Sequence, residues 1–175
     1  MKTTFNLFFL LLTTVFYAQT YSTGTVNFTG NYSGKVDVTS ETVTLTLTGP
    51  SAGYLALAFD ATQMNDIGAD VVIFDGTNMS DRTFDGQGVV PPLDATQNWT
   101  VSSNDVVSGV RTVVATRARN TGDTNDYTFS AAAQSLNLVW ALKPTNFTVS
   151  YHGSGNCGIV TSNLTLGLNS FDKES

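Results

Sequence analysis

Apolar and polar residues alternate along much of the chain after residue 20, which is the pattern of β-strands with one buried face. One stretch departs from it, because residues 51–59 are almost continuously apolar, as expected of a central strand that is buried on both faces. The predicted strands are 25–29, 35–38, 42–47, 51–59, 69–74, 81–84, 99–107, 110–117, 136–142, 147–152 and 161–168.

Turn signals separate these strands, and no helical pattern interrupts them. Asp75-Gly76 and Ser108-Gly109 are typical of hairpins, and residues 87–97, with Pro91-Pro92, predict a loop. After the first 19 residues no window shows an apolar period of 3.6, and residues 131–133 could form one helical turn at most. The pattern therefore predicts an all-β protein, a two-layer antiparallel β-sandwich.

The two ends of the chain differ in character from the predicted sandwich. Residues 1–19 resemble a secretory signal peptide, with Lys2 followed by a short apolar run, and cleavage is expected near residues 18–19. Residues 20–168 form the predicted domain, and residues 169–175 are a polar tail or the start of a truncated linker. No later segment is apolar for long enough to span a membrane, so we expect a secreted, cell-surface or periplasmic protein.

Charge and cysteine content exclude several classes of function. The formal net charge is −6, and removal of the signal peptide takes away Lys2 and no acid, giving −7. Nucleic acid is therefore not an expected partner, and the three neighbouring residues Arg111, Arg117 and Arg119 are expected on a solvated strand face. Cys157 is the only cysteine, which excludes an intrachain disulfide and a Cys-x-x-Cys-His haem attachment motif.

Met64 and His152 are the residues with the most distinctive chemistry. Met64 lies in a polar loop between two apolar strands, and His152, the only histidine, ends the predicted strand 147–152. A thioether and an imidazole can together hold a haem iron for electron transfer. Alternatives remain open at this point, since Met64 could fill a gap in packing, His152 could be exposed, and Met79 is a competing thioether.

Other candidate sites have weaker support in the sequence. The aspartates at 66, 70, 75, 81 and 85 could suggest calcium, but turn chemistry explains them better, and Asp123 and Asp126 are also expected to fix a turn. No serine is placed near His152 for a Ser-His-Asp site. Trp99 and Trp140 are expected in the core, and Trp140 could also pack against a bound ring.

Four motifs in order carry a family resemblance. They are Met-x-x-x-Gly-Ala-Asp within GYLALAFDATQMNDIGADVVIFDG, an arginine followed by the turn TGDTND, the Trp-Ala strand LVWALKP, and Tyr-His in FTVSYHG. Over about residues 53–155 the chain resembles a DOMON domain of the haem-binding branch, which includes the cytochrome domain of cellobiose dehydrogenases. This resemblance implies an Ig-like β-sandwich that binds b-type haem or a sugar-like ligand.

The resemblance also implies roles for particular residues. Met64 and His152 match the axial ligands of the haem iron, and Trp140 and Phe59 are expected to contact the cofactor, with apolar walls from 55–59, 71–74 and 138–140. Arg117 and Arg119 are candidates for the haem propionates on charge alone. The chain lacks the disulfides of many secreted members.

Two hypotheses follow for function. The first is an exported b-type cytochrome domain with one non-covalent haem b, which exchanges electrons with a redox partner protein or domain and is not a catalyst by itself. The alternative is a non-redox module that binds a carbohydrate or another small ligand, and a purely structural sandwich is a third possibility.

Overall fold

The computed structural model describes residues 19–167, and the chain folds into eleven β-strands with no helix in this range. Residues 19–167 therefore contain no helix that could cross a membrane. The predicted helical turn at 131–133 is irregular, and residues 1–18 and 168–175, which hold nearly all of the predicted signal peptide and the tail, lie outside the described residues. The strands are β1 (Tyr21–Ser22), β2 (Val26–Thr29), β3 (Tyr32–Val38), β4 (Thr42–Pro50), β5 (Leu55–Phe59), β6 (Asp70–Phe74), β7 (Met79–Thr83), β8 (Thr100–Val107), β9 (Val110–Ala118), β10 (Gln134–Leu142) and β11 (Cys157–Leu166).

The strands form two antiparallel layers. The first sheet has the order β7-β6-β5-β10-β11, and the second has the order β1-β3-β4-β9-β8 with β2 on β3. Strand β11 joins the layers, because it pairs with β10 from Cys157 to Leu164 and with β1 at Thr165 and Leu166. The predicted all-β, two-layer antiparallel sandwich is confirmed.

The main hydrophobic core fills the space between the two sheets. Alternate residues of each strand face inward, so that one face of β4 meets one face of β5 and β10. Burial of each large apolar side chain contributes roughly 1.5–3 kcal/mol. The fully buried members with large side chains include Tyr32, Leu45, Leu47, Leu55, Leu57, Phe59, Phe74, Phe129, Leu136, Leu138 and Leu142.

A second apolar cluster covers the opposite, outer face of the first sheet. Strands β5 and β6 are buried at every position, so a doubly buried strand does lie within the predicted run 51–59. It begins only at Leu55, because residues 51–54 form the turn after β4. The cluster contains small side chains at alternate positions of β5 and β10, and these face away from the main core. Its buried members are Tyr54, Ala56, Ala58, Ala61, Val71, Ile73, Phe84, Val139 and Ala141.

The predicted strand at 147–152 is wrong, because these residues belong to an irregular connection between β10 and β11. Its alternating apolar residues pack in different places: Phe147 lies edge-on against Phe74, Val149 joins the second cluster, and Tyr151 is exposed. The strand that follows begins at Cys157 rather than at Thr161. The alternation of apolar and polar residues in this segment is therefore not sufficient to form a strand.

Candidate functional site

A cavity of about 450 Å³ lies on the outer face of the first sheet. This volume is within the range of roughly 300–1,000 Å³ that is usual for small-ligand sites. The second apolar cluster forms its floor, where the small side chains of Ala56, Ala58 and Ala141 alternate with inward-facing residues along β5 and β10. Because these side chains are short and apolar, the floor of the cavity is apolar and lies close to the backbone of the sheet.

Irregular segments form the walls of this cavity. One wall is the segment after β7, residues 84–91, and the other is the connection after β10, residues 149–155. The polar residues on the lining are uncharged or histidine, and over residues 19–167 no aspartate, glutamate, lysine or arginine side chain lines the cavity. The cavity therefore suits a ligand with a large apolar surface.

Met64 is half-buried at the cavity, in the loop between β5 and β6. Asp66 shapes this loop: its Oδ2 atom accepts hydrogen bonds from the amides of Thr62 at 2.6 Å and Gln63 at 3.2 Å. These hydrogen bonds, led by that from the Thr62 amide, lower the pKa of Asp66, so the carboxylate stays ionised. The thioether packs against the second apolar cluster.

The Met64 loop is also tied to the neighbouring wall. The Asn65 Oδ1 atom accepts a hydrogen bond from the amide of Gln87 at 3.3 Å, and the Gly68 amide donates to the carbonyl of Phe84 at 2.8 Å. Arg82 donates from Nη1 to the carbonyl of Pro91 at 2.7 Å, at the other end of the wall. These bonds fix the wall relative to Met64.

His152 lines the same cavity from the opposite connection. Its Nδ1 atom lies 2.9 Å from the carbonyl oxygen of Gly153, and a carbonyl can only accept, so Nδ1 carries the proton. In the neutral imidazole this tautomer leaves the lone pair on Nε2, the arrangement that metal-binding histidines usually have. Asn156 holds the backbone by donating from Nδ2 to the carbonyl of His152 at 2.8 Å.

Tyr54 links the floor of the cavity to the connection that carries His152. Its hydroxyl donates a hydrogen bond to the carbonyl of Ser150 at 2.8 Å. Burial, with a smaller contribution from Cys157, raises the pKa of Tyr54 to about 12, so the hydroxyl remains a donor at neutral pH. Cys157 is a free, half-buried thiol that also lines the cavity.

Three of the four residues expected at the cofactor border this cavity. Met64, His152 and Trp140 do so, although the Trp140 ring stacks on Phe28 at 6.0 Å in the main core. Phe59 is not among the lining residues, because it alternates with Ala58 and faces inward, where its ring lies 4.9 Å from that of Phe129. Because of the same alternation, only some residues of the predicted apolar walls, 55–59, 71–74 and 138–140, line the cavity.

Residues 84–91 are the part of the site that the sequence did not reveal. They were expected to lie in or beside a loop and no role in the site was assigned to them, yet they form one wall. The signal that could have identified them is Val89 and Val90, two apolar residues in a loop rich in glycine and proline.

Arg117 is buried in an acidic network away from the cavity, so the expectation of a solvated arginine is wrong. Its Nη2 atom lies 2.8 Å from Asp70 Oδ2, and its Nη1 atom lies 3.0 Å from Asp126 Oδ2. The guanidinium also lies over the ring of Trp99, 4.9 Å from its centroid. Two of the recognised motifs, Gly-Ala-Asp and the arginine with its Gly-Asp turn, therefore meet in this network.

The arginines expected to bind propionates have other partners. Arg119 donates from Nε to the carbonyl of Ser40 at 3.0 Å and from Nη1 to the carbonyl of Phe129 at 2.5 Å. Neither Arg119 nor Arg117 lines the cavity, so the structure does not support this role.

Asp81 completes the network beside Asp70, so turn chemistry explains neither of these two residues. Both are buried, and burial is the largest cause that raises the pKa of Asp70 to about 6 and that of Asp81 to about 7. The Arg117 charge opposes the rise at Asp70, while the Asp70 and Asp126 charges add to it at Asp81. Asp123 does fix a turn, since its Oδ1 atom accepts the Asn125 amide at 3.0 Å.

Comparison with known proteins establishes the family. Residues 29–143 match the model of the DOMON domain, which is more than half of the chain, so the protein belongs to the DOMON domain family and the resemblance is confirmed. The match includes Met64 and ends before His152. No curated protein matches the sequence.

Two solved structures share the fold. The cytochrome domain of Myriococcum thermophilum cellobiose dehydrogenase superposes with a TM-score of 0.54 at 12% identity, covering 85% of this chain and 83% of that one. The cytochrome b domain of pyranose dehydrogenase from Coprinopsis cinerea gives a TM-score of 0.52 at 13% identity, covering 74% and 76%. At these identities the likeness establishes the fold.

Proposed function

We propose that this chain is a b-type cytochrome domain that binds one non-covalent haem in the cavity and carries electrons. The observation that carries the proposal is that Met64 and the only histidine, His152, line one apolar cavity although they are far apart in sequence. Both solved structures compared above are described as cytochrome domains of dehydrogenases, which also supports a cytochrome function.

The residues of the cavity fit haem b in three respects. The floor of short apolar side chains suits a flat macrocycle, Met64 offers a thioether, and His152 offers the Nε2 atom, since Nδ1 faces the Gly153 carbonyl. Among residues 19–167 no charged side chain lines the cavity, so the anionic propionates are expected to remain at the exposed rim, where Gly88 and Ser154 are accessible to water. No covalent attachment is expected.

Haem iron held by a thioether and an imidazole supplies one-electron transfer without an open coordination position. The protein holds the two ligands in place: Asp66 shapes the Met64 loop, and Tyr54 with Asn156 fixes the connection that carries His152. The apolar floor excludes water from the centre of the site. The domain is thus an electron carrier for a redox partner protein or domain, not a catalyst by itself.

The proposed location is outside the cytoplasm. Residues 1–19 serve as a signal peptide in this proposal, residues 20–168 form the haem-binding domain, and residues 169–175 are a tail or the start of a linker. The mature domain is then secreted, at the cell surface or in a periplasm, where its redox partner would also lie.

Haemin titration of the full chain tests the proposal. We expect saturation at one haemin per chain, with affinity reduced at least about tenfold in Met64→Leu and in His152→Ala. Met79→Leu is the matched control, because Met79 is buried in the main core and this exchange keeps a similar volume. Equal affinity in Met64→Leu and Met79→Leu would contradict Met64 as a ligand, and absence of saturable binding would contradict the cytochrome function.

A carbohydrate-binding module is the second candidate, and one observation favours it. Tyr151 is 74% exposed at the cavity rim, and exposed aromatic rings are a common platform for sugars. A glycan that binds the full chain with an affinity that falls in Tyr151→Ala and not in Met64→Leu would support this function over the first.

A further inference from the structure

Three carboxylates converge in the interior between β6, β7 and the turn after β9. One oxygen from each of Asp70, Asp81 and Asp126 lies within 4.8 Å of the others. Two ligands of one Ca²⁺ ion, each at 2.3–2.6 Å from it, lie no more than about 5.2 Å apart. The spacing of these oxygens therefore fits a single ion.

The carboxylates keep unused oxygens although they are buried. Arg117 contacts the Oδ2 atoms of Asp70 and Asp126, while the Oδ1 atoms of both residues have no hydrogen-bond partner in the part of the chain that the structure describes. Asp81, which is 0% exposed, likewise accepts the Asn98 amide on Oδ2 at 3.3 Å and leaves Oδ1 without a partner. Buried carboxylate oxygens are normally satisfied, so these three oxygens are available to bind a ligand.

Asn98 is a neighbour of the cluster, because its backbone amide donates a hydrogen bond to Asp81 Oδ2 at 3.3 Å. Its side-chain Oδ1 atom is buried and has no hydrogen-bond partner among residues 19–167. An amide oxygen together with carboxylates is the hard, all-oxygen ligand set that Ca²⁺ prefers over softer metals.

The charge balance points the same way. With all three carboxylates ionised, the cluster and the single guanidinium of Arg117 would carry a net charge of −2, and burial of uncompensated charge is costly. One divalent cation brings the sum to zero without disturbing the Arg117 ion pairs, which use the Oδ2 atoms.

A second, smaller cavity reaches this cluster from the surface. It has a volume of about 210 Å³ and is lined by Asp70 and Asp126 together with the exposed residue Asp60. The acidic opening would attract cations, and the cavity has room for the waters that complete the six to eight oxygen ligands of Ca²⁺.

We propose that Asp70, Asp81 and Asp126 bind a structural Ca²⁺ ion, with the Asn98 side-chain oxygen as a further ligand. The ion joins β6 and β7 of the first sheet to the turn that follows β9 of the second. It therefore holds the two layers together on the side of the sandwich away from the haem cavity, and its binding is independent of the proposed haem.

Thermal unfolding of the full chain in 1 mM CaCl₂ and in EDTA tests the site. We expect Ca²⁺ to raise the unfolding temperature by at least about 5 °C. In Asp81→Asn this increase should vanish, and in Asp75→Asn, which changes a half-buried turn aspartate outside the cluster, it should remain. Equal unfolding temperatures in Ca²⁺ and EDTA, or an equal increase in both variants, would overturn the proposal and indicate that protons neutralise the cluster.

Terbium luminescence provides a second test that does not depend on the stability of Asp81→Asn. Tb³⁺ is a Ca²⁺ substitute that emits when a nearby tryptophan is excited, and Trp99 lies against Arg117 in this network. We expect a saturable signal that Ca²⁺ displaces, that is largely lost in Trp99→Phe and that is retained in Trp140→Phe. A signal that is absent, or that depends on Trp140 instead, would overturn the proposed position.

Discussion

The hydroxyl of Tyr54 donates a hydrogen bond to the carbonyl oxygen of Ser150 at 2.8 Å. Tyr54 immediately precedes β5, which forms the cavity floor, and Ser150 lies two residues before His152 in the irregular connection. This side-chain bond therefore fixes the height of His152 above the floor, in a segment that has no β-ladder to position it.

Replacement of Tyr54 by phenylalanine removes this bond and keeps the ring. We expect a loss of about 0.5–1.5 kcal/mol in the free energy of unfolding and several-fold weaker haemin binding, because the Ser150 carbonyl loses its partner. Urea unfolding and haemin titration measure the two effects. Tyr21→Phe is the control, since Tyr21 lies on β1 and does not line the cavity, and equal effects of the two variants would contradict the positioning role of Tyr54.

Gly53 allows the same connection to approach β5 closely. A Cβ atom at this position would lie 1.5 Å from the carbonyl oxygen of Lys143, which is backbone and cannot rotate away. We expect Gly53→Ala to displace the connection, to lower the free energy of unfolding by at least about 1–3 kcal/mol and to weaken haemin binding.

The control for Gly53→Ala is Gly30→Ala, because a Cβ atom at Gly30 would meet nothing within 4 Å. Urea unfolding of both variants provides the comparison. If Gly53→Ala were as stable as Gly30→Ala, the close approach would not exist in solution.

The short side chains of the cavity floor are expected to be essential for the ligand and not for the fold. Ala56→Leu would place a larger side chain in the cavity, where space is available, so the unfolding temperature of the haem-free chain should change little. Haemin affinity should fall at least about tenfold. Ala118→Leu, at an exposed position of β9, is the control, and unchanged haemin affinity in Ala56→Leu would place the haem elsewhere.

The buried and exposed ion pairs of the chain should differ in their contribution to stability. Arg117→Ala leaves buried carboxylates without their cation and should cost roughly 3–5 kcal/mol in the free energy of unfolding. Lys35→Ala removes the exposed partner of Asp37 and should cost less than about 1 kcal/mol. Urea unfolding in EDTA measures both, and similar costs would contradict the structural role of Arg117.

The strands could be predicted from the sequence where the pattern of apolar residues or a turn signal was clear. Strand β5 was recognisable because both of its faces are apolar. The hairpin of β8 and β9 was recognisable from the turn pair Ser108-Gly109, and these two residues adopt positive φ angles of 50° and 81°. Strand β1 was missed, because two residues give no periodic pattern. Residues 147–152 were mistaken for a strand, since alternation does not reveal whether a pairing partner exists.

The site was predictable only in part, because contacts between distant segments leave no local signal. Met64 and His152 were proposed as a pair through family resemblance, and their positions on one cavity follow from the fold. The burial of Arg117 could not be read from its charge, which usually indicates solvent exposure, and its acidic partners come from two other segments. The inward orientation of Phe59 depended on the register of β5.

The most direct measurement of haem ligation by Met64 and His152 is the visible spectrum of the haem-loaded full chain, oxidised and after reduction with dithionite. We predict a Soret band with sharp α and β bands in the reduced protein, and loss of this low-spin spectrum in Met64→Leu and His152→Ala but not in Met79→Leu. A folded, colourless protein that does not take up added haemin, or a low-spin spectrum that persists in both ligand variants, would contradict this ligation.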